Sequence, residues 1–220
     1  RIIWLGGKTM GIKTSKPARK ETVGAQYFCF NISDENGDWT NKFEPDVTRE
    51  ATVKSVKITE NAGSEPVYAS GSIYDSDTNI SSVDIEEEVV GITDEILAKM
   101  RGDLVDEGGL ILSGGGRKRP YFAYGKVVAL KGGKVRYDWY PKCKLTENSD
   151  DTSTSEEKAA EQNDTIKIKA YPFNSDGDVV AKVSTDMNMP AGLTEEKFFT
   201  KPILTKEDLA TAAGSSPAGS

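Results

Sequence analysis

Apolar positions in the chain recur mostly at every second residue, which is the spacing of a strand with one face buried. The clearest case is 80–90, ISSVDIEEEVV, where Val83, Ile85 and Val89 fall on one side and Asp84, Glu86 and Glu88 on the other. Strands are predicted at Tyr27–Ile32, 51–60, 66–74, 80–90, 165–172 and 178–185, with a hairpin over 121–145. That hairpin turns at Lys131-Gly132-Gly133-Lys134, where two glycines supply the positive φ that tight hairpins need. On its return strand Val135, Tyr137 and Trp139 share one face and are expected in the core. Asn174-Ser175-Asp176-Gly177 predicts a second hairpin turn between the last two strands.

The period changes once in the body of the chain. Thr93 is a suitable N-cap, Asp94 and Glu95 suit the positive end of a helix dipole, and Ile96, Leu97, Met100 and Leu104 space an apolar stripe. Ile96, Leu97 and Met100 join Val83, Ile85 and Val89 as expected core. About seven strands and one helix predict a mainly β fold, a β-sandwich or partly closed barrel with one flanking α-helix and long loops.

Polar stretches set the expected boundaries. Residues 1–26 read as an N-terminal arm in which Lys8, Lys13, Lys16, Arg19 and Lys20 meet no acid until Glu21. Met10 opens Met-Gly-Ile-Lys, so residues 1–9 admit two readings, native sequence or an appendage ahead of a natural start. The domain is expected over 27–204. Within it, 33–50 is a long polar loop and 146–164 a mobile segment with seven acids against one lysine. Residues 205–220, ending AGSSPAGS, read as a flexible tail.

Composition narrows the classes. The 220 residues suffice to bury a core, and no apolar run approaches the length that crosses a bilayer. Ile2-Ile3-Trp4-Leu5 is too short for a signal peptide's apolar region, so the sequons at Asn31, Asn79 and Asn163 carry little meaning and folding in a cytoplasm is expected. The net charge of −7 disfavours nucleic-acid affinity as a property of the whole surface. Cys29 and Cys143 are expected as reduced, buried thiols.

Candidate chemistry is thin. With no histidine, Ser-His-Asp and Cys-His arrangements are excluded, and two thiols make a closed zinc site poor chemistry. Glu86, Glu87 and Glu88 could pair as acids, but their alternation on a strand favours a solvated or partner-facing surface. Ser113–Arg119 is glycine-rich and basic, yet Pro120 follows where a phosphate loop needs Lys-Ser/Thr and a helix. Asp34–Asp38 and Asn174–Asp178 lack the ligand spacing of a calcium loop and are expected as turns. Tyr and Trp beside lysines in the 121–145 hairpin fit core packing better than single-strand stacking. The expectation is therefore no enzyme and no cofactor.

The run from DIEEEVVGITDEILAKMRGDL through PYFAYGKVVALKGGKVRYDWYPKCKL to DTIKIKAYPF resembles the major tail proteins of bacteriophages with long, non-contractile tails. The likeness covers roughly residues 10–186 and includes the start at Met10; the loop 33–50 and residues 1–9 have no clear counterpart. It implies a subunit of hexameric rings that stack into a tail tube, located in the virion and assembled in the host cytoplasm. The implied partners are copies of itself, the tape measure protein, the tail terminator and the distal tail proteins. The resemblance further implies that DNA passes the lumen without specific binding and that no membrane is involved.

On that resemblance Asp84, Glu86 and Glu88 are expected to face the lumen, where acids repel phosphates that a basic wall would capture. The arm (Lys13, Lys16, Arg19, Lys20) and the loop (Trp39, Lys42, Phe43) are expected between adjacent rings. Arg117, Lys118 and Arg119 are expected against a neighbouring subunit. The alternative is a β-sandwich binding module for receptors or carbohydrate, for which Trp39 is the one loop aromatic that qualifies, or another virion decoration protein.

Overall fold

The structure, a computed structural model, describes residues 16–69, 72–114, 116–149 and 163–214, and over 64–79 the strand pairing alone. The fold is mainly β and antiparallel, sandwich-like, with no closed barrel among the described residues. Among the described residues ten strands form: β1 Lys20–Phe30, β2 Thr48–Glu50, β3 Val53–Ala69, β4 Ser72–Val89, β5 Leu104–Val105, β6 Ile111–Leu112, β7 Phe122–Leu130, β8 Lys134–Ser149, β9 Asp164–Ala170 and β10 Ala181–Ser184. The main sheet runs β2-β1-β7-β8-β9-β4-β3, with β10 added beside β8 and β5–β6 standing apart as a small ribbon.

β8 bends this sheet into layers. Its first half pairs β7 on one edge and β10 on the other, and its second half, from Cys143, pairs β9. Pro141 lies at the change of partner, opposite the register shift between Phe122 and Tyr124. Proline donates no ladder hydrogen bond and belongs at such bulges, which turn a strand. The inner face of the bend carries Phe28, Phe30, Val83, Ile85, Val89, Phe122, Tyr124, Ile166 and Ile168, closed by Ile96 and Met100 of α1 (Asp94–Arg101). Leu97 is half-buried against this core.

The other face of β1, β7 and β8 holds a second core. Tyr27, Cys29, Val127, Tyr137 and Trp139 pack there beneath α2 (Glu195–Phe198) and α3 (Lys206–Ala213). Trp139 is fully buried and its Nε1 donates to the Phe198 carbonyl at 3.1 Å. Phe199 stacks flat on Tyr27, with ring centroids 3.9 Å apart. Gly125 makes the approach possible, since a Cβ there would stand 2.7 Å from the Phe199 ring.

Several expectations change. Val135, Tyr137 and Trp139 do share a face, but it packs on the C-terminal segment instead of the inner core, and Val135 is only half-buried because it lies beside the exposed turn. The expected tail from 205 contains α3, held by a reciprocal cap between Thr205 and Asp208. Lys20–Gln26 of the expected arm belong to β1, paired to β7, and the Arg19 carbonyl accepts from Lys131. Leu104 leaves the helical stripe, because Gly102 ends α1 in a left-handed conformation, and it is exposed in β5. The strand expected at 51–60 runs on to Ala69 as β3, and the one expected at 66–74 divides between the end of β3 and the start of β4. β10 pairs β8 and not β9, so Asn174–Gly177 is a turn without a hairpin.

Candidate functional site

The outward face of β4 is built by three strands in register. Asp84 lies between Thr59 and Lys169, Glu86 between Lys57 and Lys167, and Glu88 between Ser55 and Thr165. Lys169 Nζ stands 3.7 Å from Asp84 and Lys57 Nζ 3.9 Å from Glu86, while Asn61 donates to Asp84 at 2.7 Å and Asn163 to Glu88 at 2.8 Å. The acids are therefore solvated but interleaved with lysines. The alternation of TIKIKA in β9 puts Lys167 and Lys169 on the same face, so the surface is of mixed charge and not uniformly acidic.

The same alternation turns Glu87 inward with Val83, Ile85 and Val89. It is fully buried, and the Tyr124 hydroxyl lies within reach of its carboxyl without closing a well-formed hydrogen bond. Burial pushes the Glu87 carboxyl up to about 8; Tyr124 and Lys126 oppose the shift and Glu50 adds to it. Glu50 is itself committed, accepting from the Thr93 backbone and hydroxyl at the start of α1 and from Gln26. Thr93 is the N-cap by its backbone, but its side chain makes no capping bond and is held by Glu50 instead. Nearby, Lys126 and Arg136 both bond Asp138, with Lys126 and Asp138 almost fully buried; burial depresses the Lys126 ammonium and Asp138 counters it. Alternation with Val135, Tyr137 and Trp139 would leave Arg136 and Asp138 to water or a neighbour, whereas Asp138 is buried here, and the cluster lines an ≈ 800 Å³ cleft between the first half of β1 and β3.

The loop 33–50 is folded onto the body. Asn31 and Phe43 form a β-bridge, the Asn31 amide holds the carbonyls of Thr40 and Lys42, and Phe43 packs on the second core. Trp39 is half-buried with Lys142 over its ring at 5.1 Å, so it is not the exposed loop aromatic that a glycan-binding reading needs. The Lys42 side chain is exposed. Lys16 and Arg19 are exposed just ahead of β1, Lys20 is exposed within it, and Lys13 lies outside the described residues.

Of the basic run, Lys118 is engaged by Asp38 at 3.0 Å and the Asn36 carbonyl, tying it to the chain's own loop. Arg117 donates to the Leu112 carbonyl, and Arg119 to the carbonyls of Leu145 and Thr146. These bonds go to neutral carbonyls, and among the described residues neither guanidinium enters an ion pair. Cys29 and Cys143 are free and buried, and burial raises both thiols. Asp34–Asp38 and Asn174–Asp178 are turns closed by their own carboxylate and amide side chains.

One feature had no counterpart in the sequence reading. β9 pairs β4 only over Val83–Val89, whereas β3 and β4 stay paired from Asn61↔Ser82 out to Ala69↔Ser72. That outer part is a two-stranded ribbon with no third strand among the described residues.

No known protein family matches the chain, and no curated protein does. Among solved structures it is similar to a chain of the anti-feeding prophage baseplate determined by cryo-electron microscopy. The identity is 10% over 79% of this chain and 97% of that one, with a TM-score of 0.36, a loose likeness of outline.

Proposed function

We propose that this chain is a structural subunit that assembles with copies of itself into the stacked rings of a phage-type tail tube. The β3–β4 ribbon carries this reading. A lone two-stranded ribbon is marginal in water, and its open edges are templates for pairing with another chain. Such an element is stabilised once a neighbour covers it, which is what a ring or a stack of rings supplies. The residue patterns shared with major tail proteins point the same way.

In this reading the β4 face with Asp84, Glu86 and Glu88 lines the lumen. Lys57 pairs with Glu86, Lys169 with Asp84 and Lys167 with Glu147, so the lysines of this face are already engaged and offer passing phosphates little to hold. The arm residues Lys13, Lys16, Arg19 and Lys20, and Trp39, Lys42 and Phe43 of the loop, lie toward the adjacent ring. Arg117, Lys118 and Arg119 lie toward the neighbouring subunit.

The test is to replace residues 62–81 by an Asn-Gly turn joining Asn61 to Ser82. The shortened chain should keep the wild-type circular dichroism and melting profile and remain monomeric where the full chain forms rings or tubes. Assembly indistinguishable from the full chain would remove the ribbon from the mechanism.

A further inference from the structure

We infer that the β5–β6 ribbon is a docking surface for a second copy of this chain, and that the contact is heterologous, joining this surface to a different one on the neighbour. The inference rests on the self-assembly reading above and assigns it a surface. Leu104 pairs with Leu112 and Val105 with Ile111, and these four with Leu110 are all exposed, at 36–58% of their full surface. The ribbon is nonetheless well made. The Asp106 carboxylate accepts from the backbone of Gly108 and Leu110 at 2.9 Å, Gly109 takes a positive φ, and Ser113 donates to Asp103 at 2.6 Å across the base. Five aliphatic side chains on so short and so firmly closed an element bury little within their own subunit. The two cross-strand pairs stand on opposite faces of the ribbon, so each face presents an exposed aliphatic pair, and exposed apolar surface on a firmly held element marks an interaction site.

Charge identifies the occupant. Arg101, Arg117 and Arg119 gather with Asp103 around a depression beside the ribbon, and among the described residues none of the three arginines enters an ion pair. A basic rim around an apolar patch selects a partner with carboxylates in excess. This chain, with 35 acids against 28 bases, is such a partner. The rim also sets the symmetry. A two-fold contact would press arginine against arginine, whereas a head-to-tail contact sets the rim against an acidic surface elsewhere on the next copy. Heterologous contacts close into rings when the rotation allows.

The experiment places a photo-crosslinking phenylalanine analogue at Leu110 of the full chain and follows self-association by sedimentation velocity. The expected result is intermolecular cross-links to peptides outside 101–119, weakened by high salt. A Val105→Asp/Leu110→Asp variant should melt like the wild type and associate at least about tenfold more weakly. Wild-type association without cross-links, with the variant unaffected, overturns the inference and leaves the assembly reading standing. Cross-links confined to 104–112 of the other copy overturn the heterologous geometry. A chain that does not self-associate at any concentration overturns both.

Discussion

Glu87 shows how a single residue ties sequence phase to stability. Its parity with Val83, Ile85 and Val89 places it inside, and there its carboxyl is held as the neutral acid up to about pH 8. The folded pKa is raised above the ordinary value of 4.5, so the unfolded chain releases this proton first as pH rises. Stability therefore falls as pH climbs from about 4.5 to about 8 and levels off above. Glu87→Gln keeps the shape and removes the titration. Chemical denaturation across this range should give the variant a flatter profile and, near pH 8, greater stability than the wild type. A wild-type slope that persists in the variant would assign the pH dependence to another group. The inward direction of Glu87 was legible from the alternation. Its surroundings were not, because Tyr124 and Lys126 arrive from β7 and Glu50 from the end of β2.

Elements with strong local signals were legible, and those defined by distant partners were not. α1 follows from Thr93, the acids after it and the apolar spacing, and the β7–β8 hairpin from its Gly-Gly turn. α3 carried its signals too, with Thr205, Asp208 and Gly214 at the right spacing, but an Ala-rich body and a Gly/Ser/Pro ending give the composition of a loose tail. What defines it is the second core, which Phe198, Phe199 and Ile203 share with the outer face of β1, β7 and β8. Thr205→Ala removes one half of the reciprocal cap and should cost about 1 kcal/mol in denaturant melts. No change in the midpoint would mean that packing alone defines α3. The β3–β4 ribbon escaped the sequence reading because the polar stretch between its expected strands resembles a loop until the partner strand is known. The candidate surfaces divide likewise: the outward direction of Asp84, Glu86 and Glu88 follows from period two, but the lysines balancing them come from β3 and β9.

At the scale of the whole molecule, the described structure is a sheet bent at β8, cored on both faces, from which three features extend without partners. They are the β3–β4 ribbon, the apolar β5–β6 ribbon with its arginine rim, and the free edges flanking the cleft between β1 and β3. An isolated monomer gains little stability from any of them. A repeating assembly would cover each, and the heterologous contact inferred for the arginine rim is of the kind that closes rings. The mixed-charge face of β4 would then line the ring without holding nucleic acid. The most direct measurement of the central claim is electron microscopy of the purified full chain over a rising concentration series, with mass measured by light scattering on the same samples. The account predicts rings of uniform subunit number that stack into hollow tubes. A single monomeric mass up to the solubility limit, with no rings or tubes in any image, would contradict it.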